Sequence, residues 1–552
     1  MKKNSIHRIL TIFIAINCLP QAQAEPTLME NVHGYTMAGA NLERFSGLVF
    51  DQGKVLATGN AAILRKQFSN AKIINGHGST LLPGLIDAHG HVNELGFEAT
   101  AISLGDTQNI QQAQNKIREY AKLNPLRIWI LGSGWNQVKW QLGRFPVSTE
   151  IDVAESNRPV LLSRIDGHAV WLNTKAMQIA GINKETKDPF GGRIERDSMG
   201  NPSGVLVDAA MDLAYKMVPP PSDVDRHTAL AAALAHINAV GLTSVGDAGV
   251  SANDVALYKE FSDKNRLSVR IYAMIMDTGD DFKLLSKEGP LLGYGNDRLT
   301  IRSVKLLSDG ALGSRGAAML TPYSDQPDQT GLLQMSDDLI EHKIETALKA
   351  GYQVNVHAIG DAANHQVLNA FETAYNSVGG KNLRNRIEHA QILTLPDIAR
   401  FKELNLIASM QPTHATSDMN MAEDRIGKER LKGAYAWRTF LKQGTLIAGG
   451  SDFPIESDNP FYGIHAAVTR TDHAGLPRGG WHPEQAMTLK EAFRAFTIDA
   501  AYAQHQENFI GSLETGKWAD FILIDRDLFK IRNKDIWKIK VKQTWVGGAE
   551  VY

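Results

Sequence analysis

Apolar residues along this chain fall into short runs bounded by Gly, Pro and polar clusters, and most runs precede a stretch with apolar positions at helical spacing. Runs of this kind predict strands at LLPGLIDA (81–88), GLTSVGDAG (241–249), SVRIYAMI (268–275), LTIRSVKLLSDG (299–310), YQVNVHAIG (352–360), RIEHAQ (386–391), LIASMQPTH (406–414) and TLIAGGSDF (445–453). The intervening periodicity predicts helices over 338–350, 361–377 and 488–504. Strand and helix in alternation is the pattern of a parallel α/β fold, and eight such units favour a (β/α)8 TIM barrel over an open sheet.

The two ends of the chain read differently. Residues 42 to 82 form short β-rich runs with a tight turn at Asp51-Gln52-Gly53, and GKWADFILID and VKQTWVGGAEVY repeat that texture near the C-terminus. Both ends therefore read as parts of one small sheet domain. About 150 residues separate the first two barrel strands, and they carry a helix near 109–123, the strands RIWILGSG and RPVLLSRI, and the hairpin-like GGRIERDSMGNPSGVLV. The expected organisation is a leader at 1–24 and a composite β-sandwich from 25–82 and 508–552. The barrel takes 83–96 and 226–507, and an insertion over its mouth takes 97–225.

Composition refines this picture in three respects. With 552 residues, 43% hydrophobic and 21% charged, the sequence is that of an ordinary globular protein rather than a disordered one. The start combines Lys2, Lys3 and Arg8, an apolar run from Ile9 to Leu19, and Ala22-Gln23-Ala24, which is the three-part pattern of a secretory signal peptide; the run is too short to span a bilayer. The expected location is therefore outside the cytoplasm, in the periplasm. Cys18, the single cysteine, lies in this leader, so a chain starting at Glu25 has neither disulfides nor thiolate ligands. Asn17 stands where a lipid-attachment site carries a small residue, which argues against an acylated Cys18. Without residues 1–24 the 58 Lys+Arg become 55 against 60 Asp+Glu, a net charge of −5. That balance gives no reason to expect nucleic acid or, once the leader is gone, a membrane as partner; homo-oligomerisation is left open.

Candidate chemistry gathers at the carboxyl ends of the expected strands, where barrel enzymes keep their reactive groups. His89 and His91 share one side of a strand at i and i+2, a spacing at which two imidazoles converge on one metal ion. Lys305 with Asp309, His357, His389 and Asp452 occupy the later strand ends in turn. Each alone has a structural explanation, as a satisfied core histidine, a snorkelling lysine or a helix cap. Together on one rim they do not. The glycines of DGALGSRG lack the Gly-Lys-Ser/Thr ending of a phosphate loop, and neither a Gly-x-Ser-x-Gly elbow nor a His-Glu-x-x-His helix is present.

The run LLPGLIDAHGHV, the lysine of SVKLLSDGALGSRG, the histidines of VNVHAIGDAAN and RIEHAQ, and the aspartate of AGGSDFPIES together resemble the metal-dependent amidohydrolase superfamily, most closely its N-substituted formamide deformylase branch in amidohydrolase family 3. The resemblance runs along nearly the whole mature chain. It implies two divalent metal ions, one held by His89, His91 and Asp452 and the other by His357 and His389, with Lys305 bridging them after carboxylation. It further implies hydrolysis of a non-peptide C–N bond in a small-molecule amide or formamide, with Asp452 as the catalytic proton carrier. Imidazole and carboxylate ligands suit zinc first, with manganese, iron and cobalt also compatible.

Trp135, His168, Arg315 and His414 are polar or aromatic residues in loop-like contexts near the expected rim and are candidates for substrate contact; Arg315 could grip a carboxylate through its fork. Two alternatives stay open on sequence. A cyclic deaminase of this fold would use one metal and a strand-end glutamate, and a binding protein that lost catalysis would hold none.

Overall fold

In the computed structural model, residues 25–165, 169–189 and 192–552 are described. The expected leader, 1–24, lies outside them. The centre of the molecule is a set of eight parallel strands: β1 (Leu85–Gly90), β2 (Leu242–Val250), β3 (Arg270–Met276), β4 (Leu299–Leu307), β5 (Gln353–Ala358), β6 (Arg386–His389), β7 (Ile407–Met410) and β8 (Ile447–Gly449). They pair in sequence order, and hydrogen bonds just past the strand ends bring β8 back to β1: Asp452 N–H donates to His89 O at 2.8 Å and His91 N–H to Phe453 O at 2.8 Å. The result is a nearly closed TIM barrel. All eight strands stand where the apolar runs predicted them.

The strands read as near-continuous buried runs because helices cover their outer side and side chains fill their inner side. Two expectations change in detail. LLPGLIDA is two strands, not one: Thr80–Pro83 joins the terminal sheet and β1 starts at Leu85, with the break at Gly84. A Cβ at Gly84 would lie 2.1 Å from Thr243 Oγ1, so only glycine lets the chain pass there. The helix expected over 488–504 is also two, Leu489–Ala495 and Ile498–Ala503. Its break frees the Phe496 carbonyl, which accepts the N–H of Ile86 on β1 at 2.8 Å.

Both termini meet in one eight-stranded sheet, in which Phe521–Ile524 runs antiparallel to Thr80–Pro83 and Thr27–Ala38 pairs with Asn41–Asp51. The strand Thr27–Ala38 escaped the sequence reading because a bulge between Glu30 and Gly34 breaks its alternation. A buried bidentate pair, Arg270 on β3 with Asp520 at 2.7 and 2.9 Å, ties this sheet to the barrel. Residues 102–208 supply a separate six-stranded sheet with its own apolar core around Trp135, Trp140 and Trp171. No helix among the described residues is long and apolar enough to cross a membrane.

Candidate metal centre

The carboxyl ends of β1, β4, β5, β6 and β8 deliver their polar side chains into one cavity of about 400 Å³, which His89, His91, Lys305, His357, His389, His414 and Asp452 all line. The ligand atoms of His89, His91 and Asp452 lie within 4.8 Å of one another, and so do those of His389, His414 and Asp452. Asp452 belongs to both groups. Its Oδ1 lies 3.0 Å from His91 Nε2 and 3.5 Å from His89 Nε2, while Oδ2 is 3.6 Å from His414 Nε2. His357 packs on His389 with ring centroids 4.5 Å apart, and Lys305 Nζ is 3.1 Å from His89 Nε2.

A second layer fixes these groups. His89 Nδ1–H donates to Glu388 Oε2 at 2.5 Å, and Glu388 in turn accepts from Arg386 Nε at 2.7 Å, all three side chains being fully buried. His389 Nδ1–H donates to Gln411 Oε1 at 2.8 Å. These bonds set each tautomer, leaving Nε2 of both rings with a lone pair towards the cavity. Asp87 accepts from His89 N–H at 3.0 Å and from Ser451 Oγ–H at 2.6 Å, bracing the ends of β1 and β8 together. Asp309 accepts from the N–H groups of Ala318, Ile359 and Gly360 at 2.8 to 3.0 Å and so holds the loop after His357.

Backbone conformation marks the same place. His389, Ala390 and Asp452 have φ of 72°, 42° and 64°, left-handed values that non-glycine residues rarely adopt. Strain of order 1–3 kcal/mol per residue persists only where the surroundings over-determine it. Here it turns two candidate ligands, His389 and Asp452, off their strands and into the cavity.

Electrostatics prepare the donors for a cation. Burial, followed by the charge of Lys305, pushes His89 well below the usual imidazole range, and burial followed by His357 does the same to His389, so both rings are neutral. Burial would raise Asp452, but the hydrogen bond from His91 and the surrounding imidazoles outweigh it and hold the carboxyl below its ordinary value. Burial brings Lys305 down to about 8. A buried amine so lowered is neutral often enough to act as a nucleophile. His357 Nε2 and His414 Nε2 are buried without any hydrogen-bond partner, a costly state for polar atoms unless something else occupies their lone pairs. Two imidazole nitrogens orphaned in this way, beside the Asp452 carboxylate in one cavity, fit a divalent ion.

Residues 72–552 match the pattern of the amidohydrolase family. The chain belongs to that family. It is 33% identical over 518 residues to the protein LONG AFTER FAR-RED 3 of Arabidopsis thaliana, covering 91% of this chain and 87% of that one. It is 28% identical over 501 residues to the N-substituted formamide deformylase of Arthrobacter pascens, covering 88% and 90%. The crystal structure of an uncharacterized metal-dependent hydrolase from Pyrococcus furiosus superposes with a TM-score of 0.77 at 30% identity, covering 92% of this chain and all of that one. Family and donor set together make this amidohydrolase a metal-dependent hydrolase that uses divalent ions.

Of the residues expected to touch substrate, His414 lines the cavity and stands with His389 and Asp452. Trp135 does not. It is fully buried in the core of the second sheet, its indole N–H donating to Leu162 O at 2.7 Å, because GSGW ends a strand rather than forming a loop. Arg315 is also elsewhere engaged: its fork holds Asp325 at 2.8 and 3.2 Å, so it is not free to grip a carboxylate. His168 lies outside the described residues. Among the described residues, the cavity wall comes from the barrel strands and the loops after them, with Gln391, Asp418 and Glu456 as polar members the sequence reading missed. Glu388 was missed as well, although its place two residues after Arg386 on a buried strand put both on one inner face.

Glu388→Gln tests that inner brace. The variant loses the ionised acceptor behind His89, and metal affinity falls about 10- to 100-fold. A competition titration with a chromophoric chelator measures it, and unchanged affinity would remove Glu388 from the account.

Proposed function

We propose that the protein hydrolyses a non-peptide C–N bond of a small molecule, an amide or N-substituted formamide, at a binuclear centre. The observation that carries this reading is Asp452, one carboxylate that stands with His89 and His91 on one side and with His389 and His414 on the other, His357 packing on His389. His89, His91 and Asp452 would hold one ion and His357 and His389 the other, with Lys305 contributing a carbamate oxygen to both. When bound, such ions lower the pKa of a water to about 7 and polarise the scissile carbonyl. Zinc suits the donor set first.

Asp452 accepts the proton released as water attacks the carbonyl carbon and returns it to the departing nitrogen, so that an amine and a carboxylic acid leave, the acid then giving its own proton to solvent. His414, whose Nε2 faces Asp452 and which stands with His389 and Asp452, is placed to help hold the second ion or, as the Nε2–H tautomer, to donate to the oxyanion. Met276, Leu307, Leu312 and Ile359 give the cavity apolar walls and limit water around the reacting bond. The leader at 1–24 supports an exported, periplasmic location.

A single-ion reading is the alternative, since His89, His91 and Asp452 by themselves bring three ligand atoms within 4.8 Å of one another. The test is a hydrolysis screen of zinc- and manganese-loaded protein against N-formyl, N-acyl and cyclic amides. We expect turnover of an N-formyl or N-acyl amine, abolished by chelation and restored by zinc. Turnover confined to ring C=N deamination would favour the single-ion alternative.

A further inference from the structure

Three polar residues on the wall of the metal-centre cavity stand outside both groups of candidate ligands: Gln391, Asp418 and Glu456. Gln391 follows β6, Asp418 ends the helix Pro412–Asp418 after β7, and Glu456 lies in the loop after β8. His414 and Asp418 are four residues apart on that helix, a spacing that puts their Cβ atoms roughly 5–6 Å from each other. Asp418 therefore sits one helical turn away from the metal centre.

Every donor of this group is spent inside it. Gln391 Nε2–H donates to Asp418 Oδ2 at 2.8 Å and to the hydroxyl of Tyr435 at 2.7 Å, and Tyr435 O–H donates to the same Asp418 oxygen at 2.6 Å. A carboxylate only accepts, so the contact with Asp418 fixes which end of the Gln391 amide is nitrogen. Ser417 Oγ–H donates to Glu456 Oε1 at 2.5 Å. Three acceptors remain. Gln391 Oε1, Asp418 Oδ1 and Glu456 Oε2 have no hydrogen-bond partner among the described residues, and none of the three is sealed from solvent. Gln391 is 4% exposed and lines the cavity, so the surface left to its Oε1 opens there.

No cation answers the two carboxylates. Neither makes an ion pair among the described residues. Lys305, the one lysine or arginine among the described residues of the wall, stands at the metal centre, 3.1 Å from His89 Nε2. Arg425 donates to Gly313 O at 3.3 Å, but it and Arg315 are both held by Asp325 and neither lines the cavity. Leu307, Leu312, Ile359 and Ile455 make much of the remaining wall apolar.

We propose that the substrate carries a second, protonated amine: an N-formyl or N-acyl aliphatic diamine whose free ammonium is held by Gln391, Asp418 and Glu456. The proposal rests on the C–N hydrolase reading of the same cavity. An ammonium has three N–H donors and no acceptor, which matches three free acceptors with no donor among them, and two carboxylates meet its charge. A neutral tail would leave those oxygens without donors, and a carboxylate tail would bring like charge against them. The apolar wall suits the methylenes between the two nitrogens. In a formamide the acyl part is a single hydrogen, so the charged tail belongs to the departing amine.

The experiment compares three formamides of matched length on the metal-loaded protein: N-formyl-1,5-diaminopentane, neutral N-formylhexylamine and anionic N-formyl-6-aminohexanoate. We expect kcat/KM for the diamine to exceed that for the neutral compound at least about tenfold, mostly through KM, with the anionic one poorest. Glu456→Gln and, independently, Asp418→Asn should each cut the diamine-to-neutral ratio at least about fivefold. Should Asp418→Asn fail to give a cooperative melt, Glu456→Gln decides alone. If none of the three is turned over, the hydrolase reading fails, and calorimetric titration of the same compounds then decides the ammonium subsite by the same order of affinities. Equal handling of diamine and neutral compound, or preference for the anion, would overturn the proposal. So would a loss in Glu456→Gln that falls equally on all three compounds, which would make the carboxylate a counter-charge to the ions instead.

Discussion

Asp452→Asn is expected to leave a folded protein whose turnover falls by about three orders of magnitude or more, because the same change removes the proposed metal ligand and the proposed proton carrier. Asparagine is the informative replacement. Asp452 sits at φ 64°, a conformation that Asn adopts at less cost than Ala, so the backbone is spared. The carboxamide keeps the shape and a carbonyl oxygen but neither binds a proton at neutral pH nor carries charge. Steady-state kinetics with an amide substrate, together with a thermal melt, separates loss of chemistry from loss of fold. Turnover within a few fold of the parent would remove Asp452 from the reaction.

The second large effect is on stability. Arg386 and Glu388 face each other inside the barrel with no exposed surface, and Arg386 also donates to Ala88 O at 2.8 Å and Ser409 Oγ at 3.0 Å. Arg386→Met leaves a buried carboxylate without its counter-charge, which costs about 3–5 kcal/mol. Acidity supplies a distinctive signature. In the parent, burial would raise Glu388, but the charge and hydrogen bond of Arg386 outweigh it and hold the carboxyl below its ordinary value. That contribution is present above the unfolded carboxylate range and is lost as pH falls through the folded pKa. In the variant the two largest effects opposing burial are gone, with Lys305 and Ser409 left to lower the carboxyl, so its folded pKa moves up and the deficit shrinks as pH is lowered from 7 towards 5. Urea melts across that range measure both slopes. If Arg386→Met and the parent respond to acid in parallel, the pair does not have this role. The double change Arg386→Met with Glu388→Leu should recover much of the stability while leaving His89 without its brace.

What the sequence made legible follows from what is local in it. Strand existence rests on short apolar runs, and the metal-ligand candidates stand beside those runs, so His89, His91, His357, His389 and Asp452 could be found by reading strand ends. Glu388, Asp87 and Gln411 could not be assigned that way, since each acts through a partner far along the chain; Glu388 and His89 are 299 residues apart. Trp135 misled for the converse reason: glycines around an aromatic residue suggested a loop, whereas its indole packs edge-on to Trp171 with centroids 6.3 Å apart. Arg315 looked free because nothing near it in sequence announces that Asp325 folds back onto it.

The account stands on a shared cation cluster at the barrel mouth, and anomalous diffraction from crystals of the purified holoprotein, collected on both sides of the zinc absorption edge, tests it most directly. Two peaks are predicted, one among His89, His91 and Asp452 and one beside His357 and His389, with density linking both to a carbamate on Lys305. A metal-replete crystal with no anomalous peak among these residues would contradict the central claim.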